Sequence, residues 1–156
     1  MKVILTKTEN GNGLLIALSI FIILPFMVSC GKGSANTSGN NPSNNVTYVG
    51  TFMKMDSTTT SATGTYTGVF DKTTLQMTYS FSWHSLSSTP IAMHFHDNGP
   101  VIISITGFPA ATTQTMAGTA TFTSVQAQDL ASGYVFVMIH TANYPGGEIM
   151  APLVKQ

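Results

Sequence analysis

Four histidines, His84, His94, His96 and His140, and one late glutamate, Glu148, carry most of the chemistry available to this 156-residue chain. His94 and His96 stand two positions apart. On a strand that spacing projects both rings from one face, with Cα atoms about 6.6 Å apart. Imidazoles so placed can lean toward one ion at about 2.0–2.1 Å per Zn–N bond. Asp97 follows directly as a supporting carboxylate. His140 ends an apolar run, and the turn Asn143-Tyr-Pro-Gly-Gly147 returns the chain so that Glu148 begins the next strand beside it. Two roles are open. The residues can form a satisfied polar cluster in which Glu148 accepts the imidazole N–H and fixes its tautomer. Alternatively, His94 and His96, with His140 or Glu148, hold Zn²⁺ or Cu²⁺. No cofactor is otherwise required.

These residues must be positioned by strands, because the hydropathy pattern from Val46 onward has a period of two. Leu75, Met77, Tyr79, Phe81 and Trp83 alternate with Gln76, Thr78, Ser80, Ser82 and His84, which predicts a strand buried on one face. Earlier strands are expected over 47–55 and 64–70, and later ones over 91–96, 101–106, 118–124, 134–141 and 148–154. Asp71–Thr74, Asp97-Asn-Gly-Pro100 and Asn143–Gly147 are turn signals, since Gly tolerates positive φ and Pro presets a corner. Residues 125–132 suit one short helical turn capped by Gly133. Seven or eight short strands with close turns predict an antiparallel β-sandwich, Greek-key or immunoglobulin-like. Core filling is the expected role of Met53, Met55, Met77, Met93, Met116, Met138 and Met150, because thioethers adapt to irregular gaps.

Composition narrows the partners. Six Lys, no Arg and six acidic residues leave no net charge, so the clustered cations that neutralise nucleic-acid phosphates are lacking. Nucleic acid is not an expected partner. An enzyme is not expected either: there is no Ser in a Gly-x-Ser-x-Gly setting, no HExxH, and too few acids for a paired-carboxylate site.

The N-terminus reads as an address. Lys2 and Lys7 precede an apolar run from Leu14 to Val28, too short to cross a hydrocarbon layer about 30 Å thick as a helix. Met27-Val-Ser-Cys30 resembles a bacterial lipobox, with residues 1–29 as the signal peptide and Cys30, the sole cysteine, as the lipidated residue. Residues 30–45 hold no large apolar side chain beyond that cysteine and should act as a flexible polar leash. The folded domain is expected over 46–156, without a disulfide.

Two stretches carry a further resemblance: Met93-His-Phe-His96, and Tyr134-Val-Phe-Val-Met-Ile-His-Thr141 through Asn143-Tyr-Pro-Gly-Gly-Glu-Ile149. Together they resemble the CHRD domain, a β-rich module frequent in bacterial secreted proteins. This chain has Met150 where that family usually shows Arg. The resemblance implies an extracellular binding or scaffold module rather than an enzyme. His94-Phe95-His96-Asp97 also resembles copper–zinc superoxide dismutase, whose pattern needs more His ligands and a disulfide that this chain lacks. The expectation is therefore an exported lipoprotein, tethered to a bacterial membrane through Cys30 in the periplasm or at the cell surface. Its β domain would be a non-enzymatic binding or structural module for an extracytoplasmic protein or glycan. The alternative is a Zn- or Cu-binding protein using His94, His96 and His140.

Overall fold

A computed structural model describes residues 43–156. The expected signal segment 1–29, Cys30 and the expected leash as far as residue 42 lie outside the described residues.

Among the described residues, nine antiparallel strands and one helix follow in the order β1 (Asn45–Lys54), β2 (Thr63–Asp71), β3 (Gln76–His84), β4 (Pro90–Asp97), β5 (Val101–Ile105), β6 (Gln114–Thr121), α1 (Ser124–Ser132), β7 (Val135–Thr141), β8 (Ile149–Pro152) and β9 (Val154–Lys155). They make one connected sheet, nearly closed, with neighbours β5-β4-β7-β8-β1-β2-β3-β6 and β9 alongside β1. The all-β expectation holds. The sheet is a continuous path rather than two unlinked layers, because β1 joins its halves: Asn45–Phe52 pair with β2, and Met53 and Lys54 pair with β8.

Alternation sets the inner face. Met77, Tyr79, Phe81 and Trp83 are buried, and the Thr and Ser residues between them face outward. The sheet curls far enough for Phe95 of β4 to reach Tyr66 of β2 and Tyr79 of β3, at ring separations of 6.3 and 5.4 Å. Such edge-on aromatic pairs add about 0.5–1.5 kcal/mol each beyond area burial. Tyr79 lies across Gly118, its cross-strand partner, where any side chain would collide with the phenol ring. The Trp83 indole N–H donates to the Ala111 carbonyl at 2.8 Å, so its polar atom is buried at no loss.

Three local expectations need correction. Leu75 is in the β2–β3 turn with φ +58°, not in the strand, because Asp71 Oδ1 accepts from the Thr73 and Thr74 N–H groups and wraps the turn one residue further. β6 starts at Gln114, four residues earlier than its apolar pattern suggests, since pairing with β3 runs to Trp83. The single helical turn is a nine-residue helix. Its N-terminus is closed by a capping box, in which Thr123 Oγ1 accepts from Gln126 N–H and Gln126 Oε1 accepts from Thr123 N–H. Gly133 ends it at φ +83°. Leu130 of this helix is buried in the core.

Candidate metal centre

β4 and β7 are central neighbours in one half of the sheet. Their inner faces carry Met93, Phe95, Val135, Val137 and Ile139, all essentially fully buried. Their outer faces carry Ala92, His94 and His96 on one strand and Phe136, Met138 and His140 on the other. His94 is opposite Met138, and Ala92 is opposite His140. The small Ala92 leaves space for the His140 ring to lean toward His94.

Each ring is then aimed by a turn. A register shift in the β4–β5 pairing falls between Phe95 and His96. Such irregularities re-aim side chains. The β4–β5 hairpin turns through Asn98 (φ +48°) and Gly99 (φ +127°), and the Gly99 carbonyl accepts from His96 Nδ1–H at 2.7 Å. Phe136 stacks flat on His96, with 5.0 Å between centroids and 6° between planes. On β7, the following turn brings the Pro145 carbonyl to 2.9 Å from His140 Nδ1, which donates to it. Gly147 sits in the same turn at φ +118°, and a Cβ there would strike the Met138 thioether.

With Nδ1 of both rings donating to carbonyls, the neutral His96 and His140 imidazoles present Nε2. His140 Nε2 lies 3.3 Å from His94 Nδ1. His96 Nε2 is buried and has no hydrogen-bond partner. Burial, then the neighbouring His140 and His96 rings, push the His94 pKa below the usual imidazole value. The donor atoms of His94, His96 and His140 all lie within 4.8 Å of one another. Nitrogens sharing a tetrahedral ion at 2.0–2.1 Å stand about 3.3 Å apart, the separation already present between His94 and His140. The remaining approach, no more than about 1.5 Å, is within reach of small ring movements. The residues therefore fit a borderline transition metal held by three imidazoles with one position open, and carbonyls occupy the outer positions that fix ligand tautomers.

Two supporting residues are placed elsewhere. Glu148 is fully buried, and its carboxylate makes no hydrogen bond to His140. Its Oε1 accepts from Thr60 Oγ1 (2.5 Å) and Ser87 N–H (2.8 Å), and its Oε2 from Ser87 Oγ (2.8 Å) and Thr141 Oγ1 (2.6 Å). Burial by itself raises a carboxylate pKa, but these four bonds to the charged form outweigh it and hold Glu148 below its usual value. Continuing the β7–β8 register would set Glu148 opposite His140, but Glu148 lies in a bend just before β8, after Gly147 at φ +118°, and its carboxylate turns inward to Thr60, Ser87 and Thr141. Asp97 is opposite the inward-facing Val135, across the strand from His94 and His96. Burial, then a hydrogen bond and charge repulsion from Asp129 of α1, raise its pKa. His84 is exposed at the end of β3, outside the cluster. The cluster members that residue types did not announce are the Gly99 and Pro145 carbonyls and Phe136. The turn signals around them were visible, but which carbonyl faces a ring depends on φ values that only the folded hairpin sets.

Fold and site together define a class: an all-β module carrying a three-imidazole corner on the outer face of its sheet. The chain belongs to the CHRD domain family, whose model matches residues 34–151, a span that includes all three histidines and both turns. No curated protein and no solved structure matches it.

Proposed function

We propose that this CHRD-domain protein is an exported, membrane-tethered lipoprotein whose β domain is a non-enzymatic binding module, and that its ligand at the outer sheet face is one zinc or copper ion. The single observation that carries the metal is the buried, unpartnered Nε2 of His96, held toward His94 and His140 by its own Nδ1–H bond to Gly99. A buried polar atom without a partner costs about 1–3 kcal/mol, and an ion removes that cost. The lipid tether is supported by the charged start, the short apolar run and Met27-Val-Ser-Cys30, with the polar leash spacing the domain from the bilayer. The curled sheet is taken as a Greek-key sandwich variant, joined through β1. An extracytoplasmic protein or glycan remains the proposed macromolecular partner.

The test uses the full chain purified in mild detergent and stripped of metal. Titration with Zn²⁺ and Cu²⁺ is expected to leave about one equivalent bound per chain. At a free-ion concentration about 100 times Kd, binding should stabilise the fold by about 2.7 kcal/mol, read as a rise in melting temperature. An unchanged melting curve with no retained ion would leave the histidines as a structural polar cluster.

A further inference from the structure

The outer face that carries the histidines has a second unusual property. In register across four strands run Met53 of β1, Met150 of β8, Met138 of β7 and His94 of β4. Side chains directly opposite on one sheet face have Cβ atoms about 4.5–5.5 Å apart, so the row sets these side chains side by side. Exposure falls along its methionines: Met53 is 53% exposed, Met150 half-buried and Met138 6% exposed. At the open end, Met53, Met55 and Met150 line one surface hollow with Lys54 and Asp56. Lys54 is drawn aside by donating from Nζ to the Thr58 carbonyl.

Core filling, the expectation from composition, accounts for Met77 and Met93, which are fully buried, and for Met116, which packs against the core. It does not account for Met53, Met55 and Met150, none of which is buried. An exposed strand position in this protein ordinarily carries a small hydroxyl. The cross-strand row two residues back along β1 reads Thr51, Thr65, Ser82, Thr115. Methionine replaces that pattern only where the row leads toward the histidines. Thioethers are soft ligands that select copper(I) over zinc and copper(II), whereas imidazoles accept all three.

Resting on the metal-centre reading above, we propose that the ion handled by this face is copper(I), captured in the surface hollow by the thioethers of Met53, Met55 and Met150 and passed by way of Met138 to His94, His96 and His140. The hollow and the histidines form two ends of one path, with soft thioethers at the open end and harder imidazoles at the other. No change of copper oxidation state is involved.

The experiment titrates the full chain anaerobically with copper(I) against a chromogenic chelator, and separately with Zn²⁺. The M53L/M55L/M150L variant keeps the apolar surface and removes the sulfur. Copper X-ray absorption reports whether sulfur surrounds the metal. Sulfur scattering in the native chain, a loss of copper(I) affinity on the order of tenfold or more in the variant, and unchanged Zn²⁺ binding would support the path. Nitrogen-only scattering, or copper(I) binding equal in the two chains, would overturn it while leaving a zinc-competent histidine centre intact. Failure of the native chain to bind Zn²⁺ or Cu²⁺ would instead remove the histidine centre, and the path with it. Should the triple variant fold poorly, Met53→Leu alone, at an exposed position, gives the same comparison.

Discussion

Replacing Glu148 by alanine is expected to destabilise the domain by about 3–5 kcal/mol, since each buried donor left without a partner costs about 1–3 kcal/mol and several are left together. The carboxylate has no solvent exposure and takes four hydrogen bonds from three residues. Alanine would strand the Ser87 N–H and three hydroxyls beside a cavity. These partners come from the β1–β2 connection, the β3–β4 connection and the end of β7, so one side chain ties three otherwise separate segments together. Glu148→Gln should cost less, because the Ser87 and Thr141 hydroxyls can turn to accept from the new amide. The same network sets a pH dependence. The folded-state pKa lies below the ordinary value of 4.5, so the unfolded chain takes up the proton first on acidification. The contribution of Glu148 is therefore complete above that value and is lost as pH falls through it toward the lower folded-state pKa. Urea unfolding midpoints at pH 7 and near pH 3 check both statements. Equal acid sensitivity of the native and Glu148→Gln chains would contradict them.

His96 should behave in the opposite sense. His96→Ala is expected to lower Zn²⁺ affinity by at least about 100-fold, since even loss of an outer partner of a metal ligand costs 10–100-fold. His96→Phe should do the same to metal binding while changing the stability of the metal-free chain by less than about 1.5 kcal/mol. That variant keeps a flat ring against Phe136 and discards the nitrogen that has no partner, while giving up the Nδ1–H bond to Gly99. A ring that serves structure alone would show the reverse: stability lost and ion binding untouched. Paired melting and equilibrium-binding measurements on the two variants distinguish these outcomes. The contrast with Glu148 has a physical basis. All acceptor capacity of the carboxylate is used inside the fold, whereas an imidazole nitrogen of His96 is left for something the fold does not supply.

Much of this arrangement was legible from residue order. Strict alternation in Gln76–His84 named the inner face of β3, and the pair His94 and His96 named the outer face of β4, because strand parity needs no knowledge of neighbours. His140 was legible as a polar residue ending an apolar strand. What residue order did not reveal depends on register. Whether His140 leans toward His94 is decided by Ala92 standing opposite it, and Glu148 turns inward because it lies in the bend before β8, outside the β7–β8 pairing. Both carboxylates, Asp97 and Glu148, looked like companions of the histidines by proximity in sequence, yet Asp97 is one parity step away from His94 and His96, and Glu148 leaves the strand pairing at a bend. The methionines show the same lesson. Composition favours a core role, and only the pairing of β1, β8, β7 and β4 shows that three of them share an outer row with His94. The short helix was underestimated because its capping box, Thr123 with Gln126, precedes residues with little apolar periodicity.

The most direct test follows the imidazole nitrogens themselves. Long-range ¹H–¹⁵N correlation spectra of the full chain, recorded before and after about one equivalent of Zn²⁺, report the protonation and ligation of each ring nitrogen. Nε2 of His96, Nε2 of His140 and Nδ1 of His94 should all shift to metal-bound values, with Nδ1 of His96 and His140 still protonated toward Gly99 and Pro145. Three rings that keep their metal-free shifts, or a response confined to the exposed His84, would contradict the metal centre.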